Sequence, residues 1–331
     1  MSMSLPISIA CWDYDRVRAL TTGAVAIEGC APNFITLGPE EVFFRAFRHH
    51  EFDVTELSFS SYTLATSRGN CPYTAIPVFI SRVFRHSGIY IRTDRGIKSA
   101  ADLKGKTIGV PEYQMTAAVW IRGILEDMYG VPTRDVHWRS GGLEEPGRHE
   151  KIELNLSKEI DVKPIPDGAT LNAMFERGEL DAVTTPRAPS CYVNGAPHIA
   201  RLFPNFRDAE KEYFRKTGIF PIMHVIGIRK TLVEKNPWLA ASLFKAFSQA
   251  KAACMPNLTE VAALKISLPW VAQEAEETMA VMGKDFWPYG VPANRKTLDA
   301  FVRYHHTQGL SDRQMRLDEL FVASTLEQAK I

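Results

Sequence analysis

Two arginines and a histidine stand close together in the segment Ser81-Arg82-Val83-Phe84-Arg85-His86-Ser87. A guanidinium group matches a carboxylate in a bidentate manner, and an imidazole exchanges protons near neutral pH. Strand-like alternation would place Arg82 and His86 on one face and Arg85 on the other. Because apolar strand segments flank this cluster, binding of a ligand carboxylate competes with the ordinary interpretation as solvated surface charge.

His224 and Arg187 are two further residues that favour chemistry on an anion. His224 lies in the apolar run Phe220-Pro221-Ile222-Met223-His224-Val225-Ile226, where it is either a core histidine or part of a site. Arg187 follows a short apolar strand and stands between Pro186 and Pro189, which stiffen its loop. An arginine fixed at the carboxyl end of a strand is well placed to bind an anion.

The segment 104–130 supplies a third anion-facing element. Thr107-Ile108-Gly109-Val110 is typical of a buried strand, the loop 112–116 follows, and an apolar helical pattern runs from Ala117 to a stop at Gly130. A helix that opens directly after a strand presents unpaired N–H groups and the positive end of its dipole. Thr116 is predicted to cap this helix.

Polar or small residues also end three other predicted strands. Trp12 and Asp13 follow the first strand, Ser58 opens a hydroxyl-rich loop before a helix, and Gly141 and Gly142 follow a strand at 136–139. In open α/β sheets, ligands bind at the carboxyl ends of the strands. The glycines permit close backbone approach, either by a ligand or by a turn.

The composition favours a small-molecule partner and gives no argument for nucleic acid or a membrane surface. The 331 residues carry 39 basic and 38 acidic side chains, for a net charge of +1. No apolar run approaches the roughly 20 residues of a membrane span, and no export signal is recognised. Five scattered cysteines without a C-x-x-C pair are typical of reduced thiols, so we expect a cytoplasmic protein.

Strands alternate with helices through the first two-thirds of the chain and the last third is helical, which predicts α/β lobes with mainly parallel sheets flanked by helices. The runs 103–110 and 178–182 resemble the second lobe of type II periplasmic-binding-protein folds. That resemblance implies one lobe from residues 1–90 and 228–331 and another from 91–227. The chain would cross between them near 89–94 and 223–228, and the ligand would lie in the cleft.

Within that superfamily the chain resembles the 4,5-dihydroxyphthalate decarboxylase family over nearly its whole length. The resemblance rests on segments 81–87, 110–120, 141–148, 167–171 and 218–224, which occur in the family's order. It implies decarboxylation of a dihydroxylated phthalate to a protocatechuate-type product, without an organic cofactor, in a homo-oligomer. It does not fix the ring substitution of the substrate.

This reaction requires an acid that protonates the ring carbon, a partner for a ring hydroxyl, and a clamp on the carboxylate that stays. A tight grip on the departing carboxylate would stabilise the ground state. We expect Arg82, Arg85 or Arg187 to bind the retained carboxylate, and His224 or His86 to supply the proton, with Glu112 as a competing acid that needs burial. The remaining predicted substrate contacts are Tyr113, Met115, Thr116, Trp12, Asp13, Ser58, Gly141, Gly142 and Phe220.

Other functional classes compete with an enzyme of this kind. A non-catalytic receptor for an aromatic carboxylate would use the same fold, and would be expected to carry an export signal. A cofactor-precursor enzyme would need a cysteine- and histidine-rich site, which the scattered cysteines do not favour. A metal held by His86, His224 and Glu112 is a further alternative, although no ligand spacing indicates it, and we therefore predict none.

Overall fold

The computed structural model describes residues 4–327 of the chain. Its eleven strands are β1 (Leu5–Cys11), β2 (Cys30–Thr36), β3 (Val54–Ser58), β4 (Tyr73–Arg82), β5 (Ile89–Arg92), β6 (Thr107–Val110), β7 (His137–Ser140), β8 (Val162–Pro164), β9 (Ala182–Thr184), β10 (Ile199–Arg201) and β11 (Ile222–Arg229).

Twelve α-helices accompany these strands in the part of the chain that the structure describes. They are α1 (Asp15–Thr21), α2 (Pro39–His49), α3 (Phe59–Ser67), α4 (Thr116–Tyr129), α5 (Leu171–Arg177), α6 (Ser190–Val193), α7 (Phe206–Thr217), α8 (Lys230–Lys235), α9 (Leu239–Cys254), α10 (Val271–Met282), α11 (Arg295–Thr307) and α12 (Leu317–Leu320). Apart from the bridge that Phe321 forms with Ala75, the described part of the chain after β11 is helical or irregular, as predicted.

The strands form two sheets, one in each lobe. The first has the order β2-β1-β3-β11-β4 and the second has the order β10-β5-β9-β6-β7-β8. Both sheets are mixed, because β11 runs antiparallel to β3 and β4, and β5 runs antiparallel to β9 and β10. The parallel pairing that the alternating pattern predicts holds for β1 with β2 and β3, and for β6 with its neighbours.

The chain passes between the two sheets at 83–88 and returns at 202–221. Strand β5 already belongs to the second sheet and the whole of β11 to the first. The segments that connect the two sheets therefore precede, along the chain, the crossings predicted near 89–94 and 223–228. The division at residues 90/91 and 227/228 stays a prediction.

Helix α4 connects the two lobes through their shared hydrophobic core. Its apolar face is buried, and Trp120, which is fully buried, donates its indole N–H to the carbonyl of Ile222 on β11 at 2.8 Å. On its other side Gly123 lies so close to Tyr304 of α11 that a Cβ would collide with the ring. Apolar residues of both sheets join one core around this helix.

The C-terminal helices pack on the lobes. Trp287 donates its indole N–H to the carbonyl of Phe79 on β4 at 2.8 Å, and Tyr289 is buried. Within residues 4–327, no helix is long and apolar enough to span a bilayer.

Candidate functional site

A cleft of about 290 Å³ opens between the two lobes. The first lobe contributes the start of α2, the end of β3 and the strand β11, and the second contributes the start of α4 and two loops. Cationic side chains of the lining are Arg85, Arg148, Lys151 and Arg187. Apolar side chains of the lining are Pro39, Phe43, Met115, Ala117, Pro186 and Met223.

His224 lines this cleft and is held by a buried carboxylate. Its Nδ1 lies 2.6 Å from Oε1 of Glu56, and its ring packs edge-on against Phe43 with centroids 4.8 Å apart. Residues Glu56 and His224 come from the neighbouring strands β3 and β11. Because Nδ1 is engaged by Glu56, we assign its hydrogen to that nitrogen, and Nε2 is left to exchange protons.

Glu56 is fully buried and both of its carboxylate oxygens accept hydrogen bonds. The Tyr14 hydroxyl donates to Oε1 at 2.6 Å and the Trp12 backbone N–H donates to Oε2 at 3.0 Å. Burial alone would raise the pKa of Glu56, but the hydrogen bond and charge of His224, with Tyr14 and the Trp12 N–H, hold that pKa below its ordinary value. Glu56 is therefore an ionised acceptor beneath the imidazole.

The starts of three helices meet at the cleft, at Pro39 of α2, Ser58 before α3, and Thr116 of α4. Thr116 is the first residue of α4 and not its cap. Its hydroxyl instead joins the lobes, accepting from the Ser60 backbone N–H at 3.0 Å and lying 3.0 Å from Oγ of Ser58. The first N–H groups of a helix lack intrahelical partners, so these termini favour an anion in the cleft.

Arg85 differs from the other cationic residues of the cleft. Its Nε donates to the sulfur of Met223 at 3.2 Å, and within the described chain it forms no ion pair. Burial lowers the pKa of Arg85 to about 10, against an opposing influence of Glu210, and the group is still charged at neutral pH. A half-buried guanidinium without a carboxylate partner suits an anionic ligand.

Carboxylates already engage the remaining cationic side chains. Glu112 is 2% exposed and accepts from Nε of Arg148 at 2.8 Å and from Nζ of Lys151 at 2.7 Å. Glu112 is thus engaged by two cationic side chains, and it is not among the residues that line the cleft. Arg187, with a side chain 72% exposed, lies 3.6 Å from Oε1 of Glu40.

The structure does not bring Arg82 to the cleft. Arg82 is buried behind it, where the guanidinium donates to the carbonyls of Phe220 and Pro288 at 3.2 and 2.9 Å and to the side chain of Asn294. The strand β4 ends at Arg82, so the alternation expected for 81–87 stops there, and Arg85 follows on an irregular segment.

His86 also lies outside the cleft, with no exposed surface, in a turn between the lobes. Its ring is surrounded by Tyr129, Phe203 and Tyr213, and neither ring nitrogen has a hydrogen-bond partner among residues 4–327. Burial lowers the pKa of His86 to about 4, so its ring is neutral at physiological pH. This environment is that of a core residue.

Four other residues that were predicted to contact the substrate are instead engaged in packing or in a turn. The Tyr113 hydroxyl donates to the carbonyl of Gln308 at 2.9 Å, and Phe220 stacks on Phe84 with centroids 4.6 Å apart. A Cβ at Gly141 would collide with Ile165, and one at Gly142 with the Glu145 carbonyl oxygen, so the glycines serve a tight turn.

The remaining pair follows β1. The side chain of Asp13 is exposed and lies 3.4 Å from Arg18, whereas Trp12 contributes its backbone N–H to Glu56. Of the predicted site residues, the cleft thus brings together six: Arg85, Arg187, Ser58, Met115, Thr116 and His224.

A metal site formed by His86, His224 and Glu112 is not supported by this geometry. His86 is enclosed by aromatic rings and Glu112 is occupied by Arg148 and Lys151. Across residues 4–327, no group of three or more His, Cys, Asp or Glu side chains is arranged to hold a metal ion.

Sequence reasoning missed Glu56, Tyr14, Glu40 and Lys151. For Glu56 a signal was present, because a glutamate at the centre of the buried strand Val54-Thr55-Glu56-Leu57-Ser58 requires a partner. Tyr14 and Glu40 carried no comparable signal. Tyr14 precedes α1 and Glu40 lies in the first turn of α2, and both helices look like ordinary surface helices in the sequence.

Comparison with known proteins adds close relatives. A protein named 4,5-dihydroxyphthalate decarboxylase from Comamonas testosteroni is 47% identical over 327 residues, which are 99% of this chain and 99% of that one. A protein of the same name from Pseudomonas putida is 53% identical over 211 residues, which cover 64% of this chain and 82% of the relative. No protein-family model matches the chain.

Solved structures share the fold at much lower identity. A putative periplasmic sulfonate-binding protein SsuA from Methylobacillus flagellatus has a TM-score of 0.53 at 13% identity, covering 97% of this chain and 92% of its own. The periplasmic aliphatic sulphonate binding protein SsuA from Escherichia coli has a TM-score of 0.50 at 13% identity, covering 100% and 96%. These likenesses confirm the two-lobed periplasmic-binding-protein-like fold and no more than the fold.

Proposed function

The chain belongs to the 4,5-dihydroxyphthalate decarboxylase family, and we propose that its interlobe cleft removes one ring carboxylate of 4,5-dihydroxyphthalate to give 3,4-dihydroxybenzoate. The protein is accordingly a carboxy-lyase of phthalate degradation. The observation that carries the assignment of the site is the pairing of His224 with the buried Glu56 at the meeting point of three helix starts. Arg85 lines the same cleft and forms no ion pair with any of residues 4–327.

The reaction consumes one proton. Each carboxylate of the substrate is para to a hydroxyl group, so electron release from that oxygen assists protonation of the carbon that carries the carboxylate. The carbon–carbon bond to the carboxylate then breaks, its electron pair restores the aromatic ring, and carbon dioxide leaves. Because the two carboxylates of the substrate are chemically equivalent, only the protein distinguishes the one that stays from the one that leaves.

We assign the proton transfer to His224. Its Nδ1–H donates to the ionised Glu56, which orients the ring and offsets the positive charge that the ring carries when it donates from Nε2. Phe43 fixes the ring from a further side. A positioned acid of this kind typically contributes about 10²–10⁴-fold in rate.

We assign the retained carboxylate to Arg85 and the helix starts at Ser58 and Thr116. Arg85 is the cationic lining residue that forms no ion pair with a carboxylate within the described chain. The departing carboxylate would then lie against the apolar lining of Met115, Pro186 and Met223. Weak binding there avoids stabilising the ground state of the group that must leave.

The test is incubation of the purified protein with 4,5-dihydroxyphthalate while carbon dioxide and 3,4-dihydroxybenzoate are both quantified. We expect His224→Gln to lower kcat by about 10²–10⁴-fold. We expect Glu56→Gln to cause a smaller loss, because the ring remains but loses its ionised partner. Release of both products by His224→Gln at the wild-type rate would contradict the assignment of the acid. Tight substrate binding without release by the wild type would instead indicate a receptor.

Cellular location and assembly are proposals as well. All five cysteines are free and four are buried, which supports a reducing compartment and hence the cytoplasm. A homo-oligomer is supported by apolar side chains exposed on the segment 261–270.

A further inference from the structure

Glu40 lies between two arginines that belong to the other lobe. It is in the first turn of α2 and lines the cleft, and its Oε1 lies 3.5 Å from Nη1 of Arg148 and 3.6 Å from Nη1 of Arg187. The ion pairs therefore span the cleft between the first lobe and loops of the second. Pro39, at the start of the helix, holds this turn in place.

These contacts are loose in comparison with the other ion pair of Arg148. Arg148 lies 2.7 Å from the buried Glu112, whereas the distances to Glu40 are near 3.5 Å and the Glu40 side chain is 50% exposed. Arg187 is 72% exposed. Glu40 thus offsets part of the charge of two guanidinium groups without binding either strongly, so we expect it to weaken their hold on a ligand carboxylate by a modest amount.

The charges of the cleft match a dianion. Four cationic side chains line it, and the carboxylates of Glu40 and Glu112 offset two of them, which leaves an excess of two positive charges. A phthalate carries two negative charges. Without Glu40 the excess would be three. Arg187 would lose its carboxylate partner and Arg148 would keep only Glu112, so both would bind the second carboxylate of the ligand more strongly.

We propose that Glu40 keeps Arg148 and Arg187 from gripping the carboxylate that leaves. This inference rests on the proposed function, in which Arg85 holds the carboxylate that stays. A strong ion pair to the departing group would be present in the ground state and lost as carbon dioxide forms, so it would slow the chemical step. Glu40 is then a positioning residue that acts through the two arginines, and it has no role in the proton transfer.

The kinetic test compares Glu40→Gln with Glu41→Gln. Glu41 is the adjacent residue of the same helix and pairs with Arg45 at 3.8 Å, outside the cleft, so it is a matched control. We expect Glu40→Gln to lower KM and kcat together, each by about three- to tenfold, with kcat/KM nearly unchanged. Glu41→Gln should have the KM and the kcat of the wild type. A higher KM, an unchanged kcat, or equal effects of the two substitutions would overturn the proposal.

A binding experiment separates this inference from the proposed function. Phthalate lacks the hydroxyl groups that drive decarboxylation, and benzoate has a single carboxylate, so both can be titrated calorimetrically without turnover. We expect Glu40→Gln to bind phthalate about three- to tenfold more tightly than the wild type does, and benzoate equally well. Equal tightening for both ligands would overturn the proposal. Failure of the wild type to release carbon dioxide would instead overturn the proposed function and leave this contrast measurable.

Discussion

At the scale of single residues, the sequence offered two histidines as equal candidates for the proton donor, and the structure places them in different environments. His224 is bound by an ionised glutamate and faces the cleft, whereas His86 is enclosed by aromatic rings without a hydrogen-bond partner in the described chain. Since the difference arises from neighbours distant in sequence, Glu56 for one and Phe203 for the other, no local pattern distinguishes them. Of these two residues, His224 is therefore a cleft histidine and His86 a core histidine.

His86 predicts a pH dependence of stability. Burial lowers its pKa in the folded chain to about 4, below its unfolded value of about 6.5. The folded state thus binds fewer protons, and stability from this group is full above pH 6.5 and is lost as the pH falls toward 4. In the wild type, we expect this group to lower the free energy of unfolding by about 2 kcal/mol between pH 7.5 and pH 5. His86→Leu should abolish that decrease, as measured by urea unfolding at both pH values.

The control for this prediction is His49→Leu, which removes an exposed histidine at the end of α2. Its pH dependence should follow that of the wild type. At pH 7.5 we expect His86→Leu to keep both the fold and the decarboxylase activity, because leucine suits an apolar enclosure. Loss of activity in a folded His86→Leu protein would show that this histidine contributes to the reaction.

At the scale of elements, the start of α4 was predicted to face an anion, and the helix does open at the cleft. The strand, loop and helix could be predicted from the sequence because hydrophobic spacing and the helix stop at Gly130 are local signals. The hydrogen-bond partners of Thr116 could not be predicted from the sequence. Its hydroxyl contacts Ser58 and Ser60, which lie more than fifty residues away and belong to the other lobe.

Thr116 predicts a stability effect at this junction. Thr116→Val keeps the shape of the side chain but leaves the buried Ser60 N–H without its acceptor, so we expect a loss of about 1–3 kcal/mol in the free energy of unfolding. Thr116→Ser retains the hydroxyl and should lose clearly less. Denaturant unfolding of the three proteins at one pH gives the comparison, and equal stability of the valine and serine variants would contradict the role of this hydrogen bond.

At the scale of the whole molecule, the two-lobed fold followed from the alternation of strands and helices together with family resemblance. The antiparallel course of β11 and β5 did not follow, because strand direction depends on where the chain passes between lobes. For the same reason Glu56 and His224, 168 residues apart, could not be paired from sequence.

The surface predicts self-association. Val261, Leu264, Leu268 and Trp270 are 45–70% exposed on one segment before α10. An exposed apolar cluster of this kind is typical of an interface. We expect light scattering after gel filtration to give a mass above that of one chain, and Trp270→Glu to lower it. Val193→Glu, at an apolar residue 68% exposed on α6, is the control and should keep the wild-type mass. A monomeric wild type would refute this prediction.

The division of the cleft between lobes has a consequence for timing. Glu56 and His224 belong to one sheet, while Arg148, Lys151, Arg187 and Thr116 belong to the other lobe. If the lobes separate to admit substrate, the acid moves away from the cations of the second lobe, and no complete catalyst exists until they meet again. Proton transfer from His224 would then be confined to the closed arrangement, in which a substrate contacts both lobes at once.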